Sequence, residues 1–364
     1  MPRDENSEPT TEPKLRRLML HDWHEEKGAE WRTLDAHRVV AHYGSPDEEL
    51  AVATDRAVIA DVSDRARLEL VGEDRVRFLA GLVTCDVASL EPGTGCYGYF
   101  TSPKGRVMAD VTVLSLADRL WLELPRGTAQ SLREHLEKYV VADRVEVRSI
   151  DDVLLFRVVG AGLADWLEAR GIDRLEGAFA HHAVELEGTD VHVSSTPLEG
   201  RPAVSLWISS GIAGPVLDDL LATGLELAGQ DCLETLRAAA GVPRFGVDFQ
   251  DSNLPQEVRV DSAISYEKGC YLGQEIVARL HYRGKPAREL RRVRGEGSTP
   301  STSEELALSL DGTPAGAITS VAADGAQNGW SGLAMVARKA LDAEMLDGPA
   351  GTRVTVLGPP DVAV

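Results

Sequence analysis

The stretch Lys268-Gly269-Cys270-Tyr271-Leu272-Gly273-Gln274-Glu275, continuing to Arg279, carries more chemical information than any other part of the chain. It follows a brief apolar run at 264–266 that reads as a strand. It precedes 274–280, whose spacing predicts a helix. Gly269 and Gly273 let the backbone turn sharply and come close to a ligand. A cysteine in the first turn before a helix meets unpaired N–H groups and a positive dipole end, which lower its pKa. Lys268, two residues earlier, adds to that field. Cys270 is therefore the candidate reactive thiol, with Gln274 and Glu275 placed to cap the helix or orient a substrate. The same residues also fit a second reading, a buried cysteine in a tight strand-to-helix corner with Lys268 in solvent.

Upstream of this stretch, 48–56 reads as a helix, 57–71 as a strand pair, and 73–82 as a helix burying one face. Strands at 97–100 and 106–114 are joined by the turn Ser102-Pro103-Lys104-Gly105. A strand–glycine–helix design then recurs at 120–139, 153–170 and 203–222, which suggests antiparallel sheets with helices on one face and some internal pseudo-symmetry. The segment 31–40 fits either a helix or a strand. A helix at 232–240 ends at Gly241 and Pro243, and 249–262 lacks periodicity and reads as a functional loop. Beyond residue 291 short β-type runs at 306–310, 316–321, 332–336 and 353–357 favour a small barrel. The expected division is a flexible acidic leader at 1–30, an α+β region at 31–285 and a barrel at 286–364.

With 364 residues, 43% hydrophobic and 26% charged, the composition is that of a globular protein with two or three compact units. There is no apolar run of about 18 residues to span a bilayer, and the polar N-terminus lacks a secretory h-region, which points to the cytoplasm. A net charge of −20 argues against general nucleic-acid binding. Residues 279–294 nonetheless hold seven basic side chains against one acid, Glu289, which fits an anionic partner or a strand edge guarded by arginines. Cys85, Cys96, Cys232 and Cys270 form no zinc or local iron–sulfur spacing, so free thiols and no bound metal are expected. No phosphate-loop, nucleophile-elbow or metalloprotease motif is present. His281 is the nearest histidine after Cys270. His181 and His182 precede a strand and are expected to face solvent.

The run 268–279, KGCYLGQEIVAR, closely resembles the signature of the YgfZ family, relatives of the glycine-cleavage T protein. The likeness continues through HYGSPDEELAVATDRAVIADVS (42–63), TCDVASLEPG (84–93), KGRVMAD (104–110) and TLRAAAGVPRFGVD (235–248), followed by Leu254-Pro255-Gln256-Glu257. It spans roughly residues 35–294 and weakens in the barrel. The resemblance implies an α+β, T-protein-like ring of three subdomains, with antiparallel sheets flanked by helices, a small C-terminal β-barrel and a central folate site. It also implies a role in assembling or repairing iron–sulfur enzymes, including those that modify tRNA. Cys270 is the position the family depends on, with Lys268, Gly269, Tyr271, Gly273, Gln274, Glu275 and Arg279 as its motif partners. Tetrahydrofolate or a one-carbon derivative is the implied cofactor, with Asp110, Arg237, Asp248, Gln256 and Glu257 as candidate contacts. Partners implied are folate and iron–sulfur enzymes or assembly proteins, with no membrane and no direct nucleic-acid contact.

Two departures bear on activity. Aminomethyltransferases carry paired aspartates where this chain has Ala109-Asp110, and a pterin-gripping glutamate where it has Ala239. A lost charged hydrogen bond is worth about 1.5–3 kcal/mol. Working aminomethyl transfer is on this reading the alternative rather than the expectation.

Overall fold

The computed structural model describes residues 15–173, 175–186, 188–300, 306–324, 328–348, 351–360 and 362. Alternation of inward and outward side chains along each strand builds two large sheets that face one another. One is six-stranded and includes Val58–Asp61, Val153–Val159, His181–Leu186, Thr189–Ser195 and Ala203–Ser209. The other is five-stranded, running Thr94–Thr101, Val107–Ser115, Arg119–Leu124, Ala66–Val71 and Glu146–Ser149 in spatial order.

Each sheet buries its outer face under helices. Ile59, Phe156 and Leu206 pack against Leu163, Leu167, Leu217 and Leu220 of the helices Leu163–Glu168 and Ala213–Ala222. Leu68, Leu122 and Val111 pack against Phe78, Leu79, Leu132 and Leu136 of the helices Arg75–Ala80 and Ala129–Tyr139. The recurring strand–glycine–helix units are these covers. The inner faces share a central core with the helix Gln230–Ala240 and reach Leu290 and Leu333 of the barrel.

That barrel closes from Arg288–Glu296, Gly329–Ala337, Thr313–Asp324, Ala307–Leu310, Met345–Asp347 and Arg353–Val356. Its own core gathers Val293, Ile318, Trp330, Val336, Leu346 and Val354. The architecture is α+β with antiparallel pairing dominant, helices on the outer faces and a closed C-terminal barrel, as the sequence indicated.

Three local expectations are corrected and one left open between helix and strand is resolved. Of the leader at 1–30, residues 1–14 lie outside the described ones, and from Arg16 the chain is folded: Arg16–Arg17 pairs with 37–38, followed by the helix His21–Glu26 and the strand Glu30–Leu34. His24 anchors this strap, with Nε2 at 2.8 Å from Asp61 and Nδ1 at 2.5 Å from the Tyr43 hydroxyl, a tertiary pairing that local composition does not announce. The segment 31–40 is strand on both sides of a tight turn at 35–36. The loop 249–262 includes a short helix, Pro255–Val258. No strand forms at 264–266, because its backbone bonds sideways: Ser265 N–H donates to the Thr84 carbonyl at 2.9 Å, and the Ala263 carbonyl accepts from the Thr84 hydroxyl at 2.7 Å.

Candidate functional site

The structure offers two candidate places, and no residue of the 268–279 motif lines the second. The first is the Cys270 loop. The helix runs Gln274–Arg283 with Gly273 as its N-cap at φ +83°, so Cys270 lies four residues before the first helical residue and outside the reach of the first turn. Cys270 is exposed. Lys268 does not reinforce it. Its ammonium donates to the carbonyls of Ala80, Val83 and Cys85 at 2.8, 2.6 and 2.7 Å, closing the chain end that leaves the helix Arg75–Ala80. Burial pushes the Lys268 ammonium below its usual range, against the opposing pull of Cys85, Asp86 and Cys96. The outcome is the reverse of the second reading: the thiol is in solvent and the lysine is inside.

The rest of the motif fixes this loop. Gly273 is required twice, by its left-handed backbone and because a Cβ there would lie 2.5 Å from the Ser102 carbonyl oxygen. Leu272 N–H donates to Gly81 at 2.9 Å, and Tyr271 is buried with the Lys268 ammonium 5.1 Å from its ring centroid. Gly269 has open space around it, and Glu275 and Arg279 are exposed on the helix. Gln274 is half-buried at the helix start, its N–H donating to the Tyr271 carbonyl at 3.1 Å. The His281 ring stacks on Tyr266 at 3.7 Å.

The second place is a cavity of about 470 Å³ lined by Arg32, Leu34, Asp35, Arg65, Asp110, Pro125, Arg126, Glu234, Arg244, Phe245, Gly246 and Val247. Alternation along Val107–Ser115 sends Ala109 into the outer core and Asp110 to the opposite, cavity-facing side. Asp110 accepts from the Tyr97 hydroxyl at 2.8 Å, and its other oxygen is buried without a partner. Burial raises its pKa above the ordinary carboxylate range, against the Arg65 guanidinium and the Tyr97 hydrogen bond. Burial also raises Tyr97 and pushes Arg244 down to about 10. Arg65 stays firmly charged: burial works against it, but Glu123 and then Asp110 outweigh burial.

Behind the cavity a buried charge network joins the two sheets. Arg157 donates to Glu199 at 2.9 Å, to the Ser205 hydroxyl at 2.6 Å and to Glu123, which also holds Arg65. Arg126 pairs with the buried Asp64 at 2.9 Å.

Of the candidate folate contacts, only Asp110 lines this cavity. Arg237 and Asp248 pair at 2.8 Å, and Asp248 also accepts from Arg244 N–H, Thr319 and Ser320, so both tie the helix Gln230–Ala240 to the barrel. Glu257 accepts from Asn253 at 2.8 Å and from Leu254 N–H at 3.2 Å, while the Gln256 amide donates to the Val277 carbonyl at 2.6 Å. Both are buried, and Gln256 joins the short helix Pro255–Val258 to the helix Gln274–Arg283. Ala239 is exposed and outside the cavity lining, so the acids missing at 109 and 239 leave the cavity acid in place.

Sequence reasoning missed Arg65, Arg126, Glu234, Arg244 and Phe245; a separate arginine or glutamate carries no spacing signal. His181 is buried rather than solvent-facing, with Nδ1 2.7 Å from His192. Of the basic run, Arg288, Arg291 and Arg294 pair with Glu257, Glu289 and Asp324, whereas Arg279, Arg283 and Lys285 are exposed. A larger apolar cavity of about 830 Å³ borders the helix Leu163–Glu168, but its ionisable lining is limited to the exposed Glu168 and Asp173. Convergent polar groups mark a ligand site better than size does.

Two facing sheets, a barrel and a cavity bearing a buried aspartate among four arginines define a glycine-cleavage T-protein-like class. The fold superimposes on glycine cleavage system aminomethyltransferase T from Bartonella henselae with a TM-score of 0.86, at 22% identity over 95% of this chain and 98% of that one. The GCVT N-terminal domain matches residues 20–268, and the chain belongs to that family, in its YgfZ group. The tRNA-modifying protein YgfZ of Vibrio vulnificus is 30% identical over 67% of this chain and 72% of its own length. YgfZ of Sodalis glossinidius is 30% identical over 69% and 76%. A chloroplastic protein of Arabidopsis thaliana, whose name proposes a transferase, is 28% identical over 83% and 70%. Among the described residues no helix is long and apolar enough to cross a membrane.

Proposed function

We propose that this protein is a cytoplasmic, folate-binding accessory factor that supports iron–sulfur cluster assembly or repair and iron–sulfur-dependent tRNA modification, with Cys270 as its working thiol. The observation that carries the reading is the contrast within one loop: Lys268, Tyr271 and Gly273 are locked into the protein while Cys270 is left in solvent. A fold that needed only a corner there would have no reason to present a thiol. The relatives named as tRNA-modifying proteins support the same direction.

The cavity fits a reduced folate, which would supply or accept a one-carbon unit. Its volume lies within the range for small-molecule sites, and the unpartnered oxygen of Asp110 offers an acceptor for the N–H donors of a pterin ring. Four arginines against Asp35, Asp110 and Glu234 suit the carboxylates of a glutamate tail. Phe245 adds an apolar wall for a flat ring.

The test is the activity of an iron–sulfur tRNA-methylthiolating enzyme in cells lacking this protein. The deletion is complemented with wild type and, separately, with Cys270→Ala. Rescue by wild type alone is expected. Equal rescue by Cys270→Ala would remove the thiol from the function, and failure of both would remove the maintenance role.

Aminomethyl transfer remains the second reading, favoured by Asp110 in the cavity with a raised pKa and a Tyr97 hydrogen bond. A buried carboxyl whose pKa is raised and which holds a hydrogen-bonded hydroxyl is placed to act as a proton acceptor or donor. Turnover of methylenetetrahydrofolate by purified protein would establish it, and loss of that turnover in Asp110→Asn would assign the proton to this residue.

A further inference from the structure

Two thiols that neither reading uses meet beneath the Cys270 loop. Cys85 leaves the helix Arg75–Ala80, Cys96 lies on the strand Thr94–Thr101, and the Cys96 thiol donates to the Cys85 sulfur at 3.1 Å. Gly98 makes the approach possible: a Cβ at that position would lie 2.7 Å from Cys85 Sγ and 2.9 Å from its backbone nitrogen. Cys85 is buried, whereas Cys96 is only partly covered, which places it on the outer side of the pair. The Cys85 carbonyl is one of the three that hold the Lys268 ammonium, at 2.7 Å, two residues from Cys270.

We infer that Cys85 and Cys96 form a reversible dithiol–disulfide site, oxidised by a peroxide, whose state is passed to the Cys270 loop through Lys268. The sulfurs need to approach by only about 1 Å more to reach bonding distance. In the first step the Cys96 sulfur gives up its proton and attacks one peroxide oxygen. The O–O bond breaks and the leaving hydroxide takes the proton as water. The Cys85 sulfur then attacks the Cys96 sulfenic acid, the S–O bond breaks, and a second water leaves with the Cys85 proton. Two thiols and one hydrogen peroxide give one disulfide and two waters, and a dithiol reductant reverses the change. The hydrogen bond to Cys85 and burial push the Cys96 thiol well up, while the Lys268 cation pulls the other way, so oxidation is slow at neutral pH and faster in alkali. The site stands apart from the folate and iron–sulfur readings.

The experiment uses the full chain carrying Cys270→Ser, which keeps the surface thiol out of the count. Hydrogen peroxide treatment, denaturation and alkylation are followed by mass spectrometry, with amide exchange measured across 268–274. The expected result is loss of both Cys85 and Cys96 alkylation, a joined peptide two hydrogens lighter, recovery with a dithiol reductant, and exchange at 268–274 slowed about threefold or more. In the milder second variant, Cys96→Ser added to Cys270→Ser, both changes are expected to vanish. Independent alkylation of Cys85 and Cys96 after peroxide overturns the site. A disulfide that leaves exchange at 268–274 unchanged overturns the link to the loop.

Discussion

The Cys270 loop and the Asp110 cavity solve opposite problems. The loop buries its lysine and tyrosine to expose one thiol, whereas the cavity buries an acid and surrounds it with guanidinium groups. In the loop, charge serves architecture: the ammonium of Lys268 binds the carbonyls of Ala80 and Val83 and shares that of Cys85 with the Val87 N–H. In the cavity, a polar atom is held ready, because Asp110 keeps one buried oxygen without a partner while desolvation raises its pKa. A motif dense in sequence thus turned out to be mostly scaffold around one exposed atom. The group with the more perturbed environment came from a single aspartate.

The comparison can be broken first at its shared support. Arg157→Met leaves Glu199 buried without its cation and Glu123 with Arg65 alone, and the expected loss is about 3–5 kcal/mol in denaturant unfolding. A loss below 1 kcal/mol would mean the network is not a buried charge lattice.

Next, Lys268→Met should cost about 1.5–3 kcal/mol because it strands buried acceptors, while Cys270→Ala should change stability by less than about 0.5 kcal/mol. Similar losses in the two variants would erase the division between scaffold and thiol. Urea unfolding of both proteins, run side by side, reads the difference.

A finer cut separates the two glycines of the motif. Gly273→Ala forces a side chain against the Ser102 carbonyl in a left-handed backbone and should cost about 1–3 kcal/mol. Gly269→Ala meets nothing within 4 Å and should fall within about 0.5 kcal/mol of wild type. Thermal unfolding distinguishes them.

The smallest effect is a slope. The Asp110 pKa is raised in the folded state, so its contribution to stability is full below the unfolded value of about 3.9 and is lost as pH rises through the folded value. Asp110→Asn should flatten the fall in stability over that window. A pH series of unfolding free energies that superimposes on wild type would show that Asp110 is not held protonated by its surroundings.

Much of this molecule was legible before any coordinates. The strand–glycine–helix units at 120–139, 153–170 and 203–222 form as Arg119–Leu124 with Ala129–Tyr139, Val153–Val159 with Leu163–Glu168, and Ala203–Ser209 with Ala213–Ala222, because their period is strong and glycine punctuates them. The strap at 15–30 was not legible: its anchor is a buried His24 bonded to Asp61 and Tyr43, and nothing local marks a histidine as buried. Of the candidate contacts beside Asp110, Arg237, Asp248, Gln256 and Glu257 lie outside the cavity lining and bond to neighbouring elements. Arginines from separate elements built the cavity instead.

Residue order alone therefore settled the family, the α+β plan with its C-terminal barrel and the choice of Cys270 as candidate thiol, since these depend on local periodicity and on a contiguous motif. The direction in which Lys268 points, the placing of Asp110 in the cavity and Ala109 in the core, and the meeting of Cys85 with Cys96 were settled only by three-dimensional packing. Each depends on which face of a strand or loop is buried against a distant partner, and that information exists only once the sheets have closed on one another.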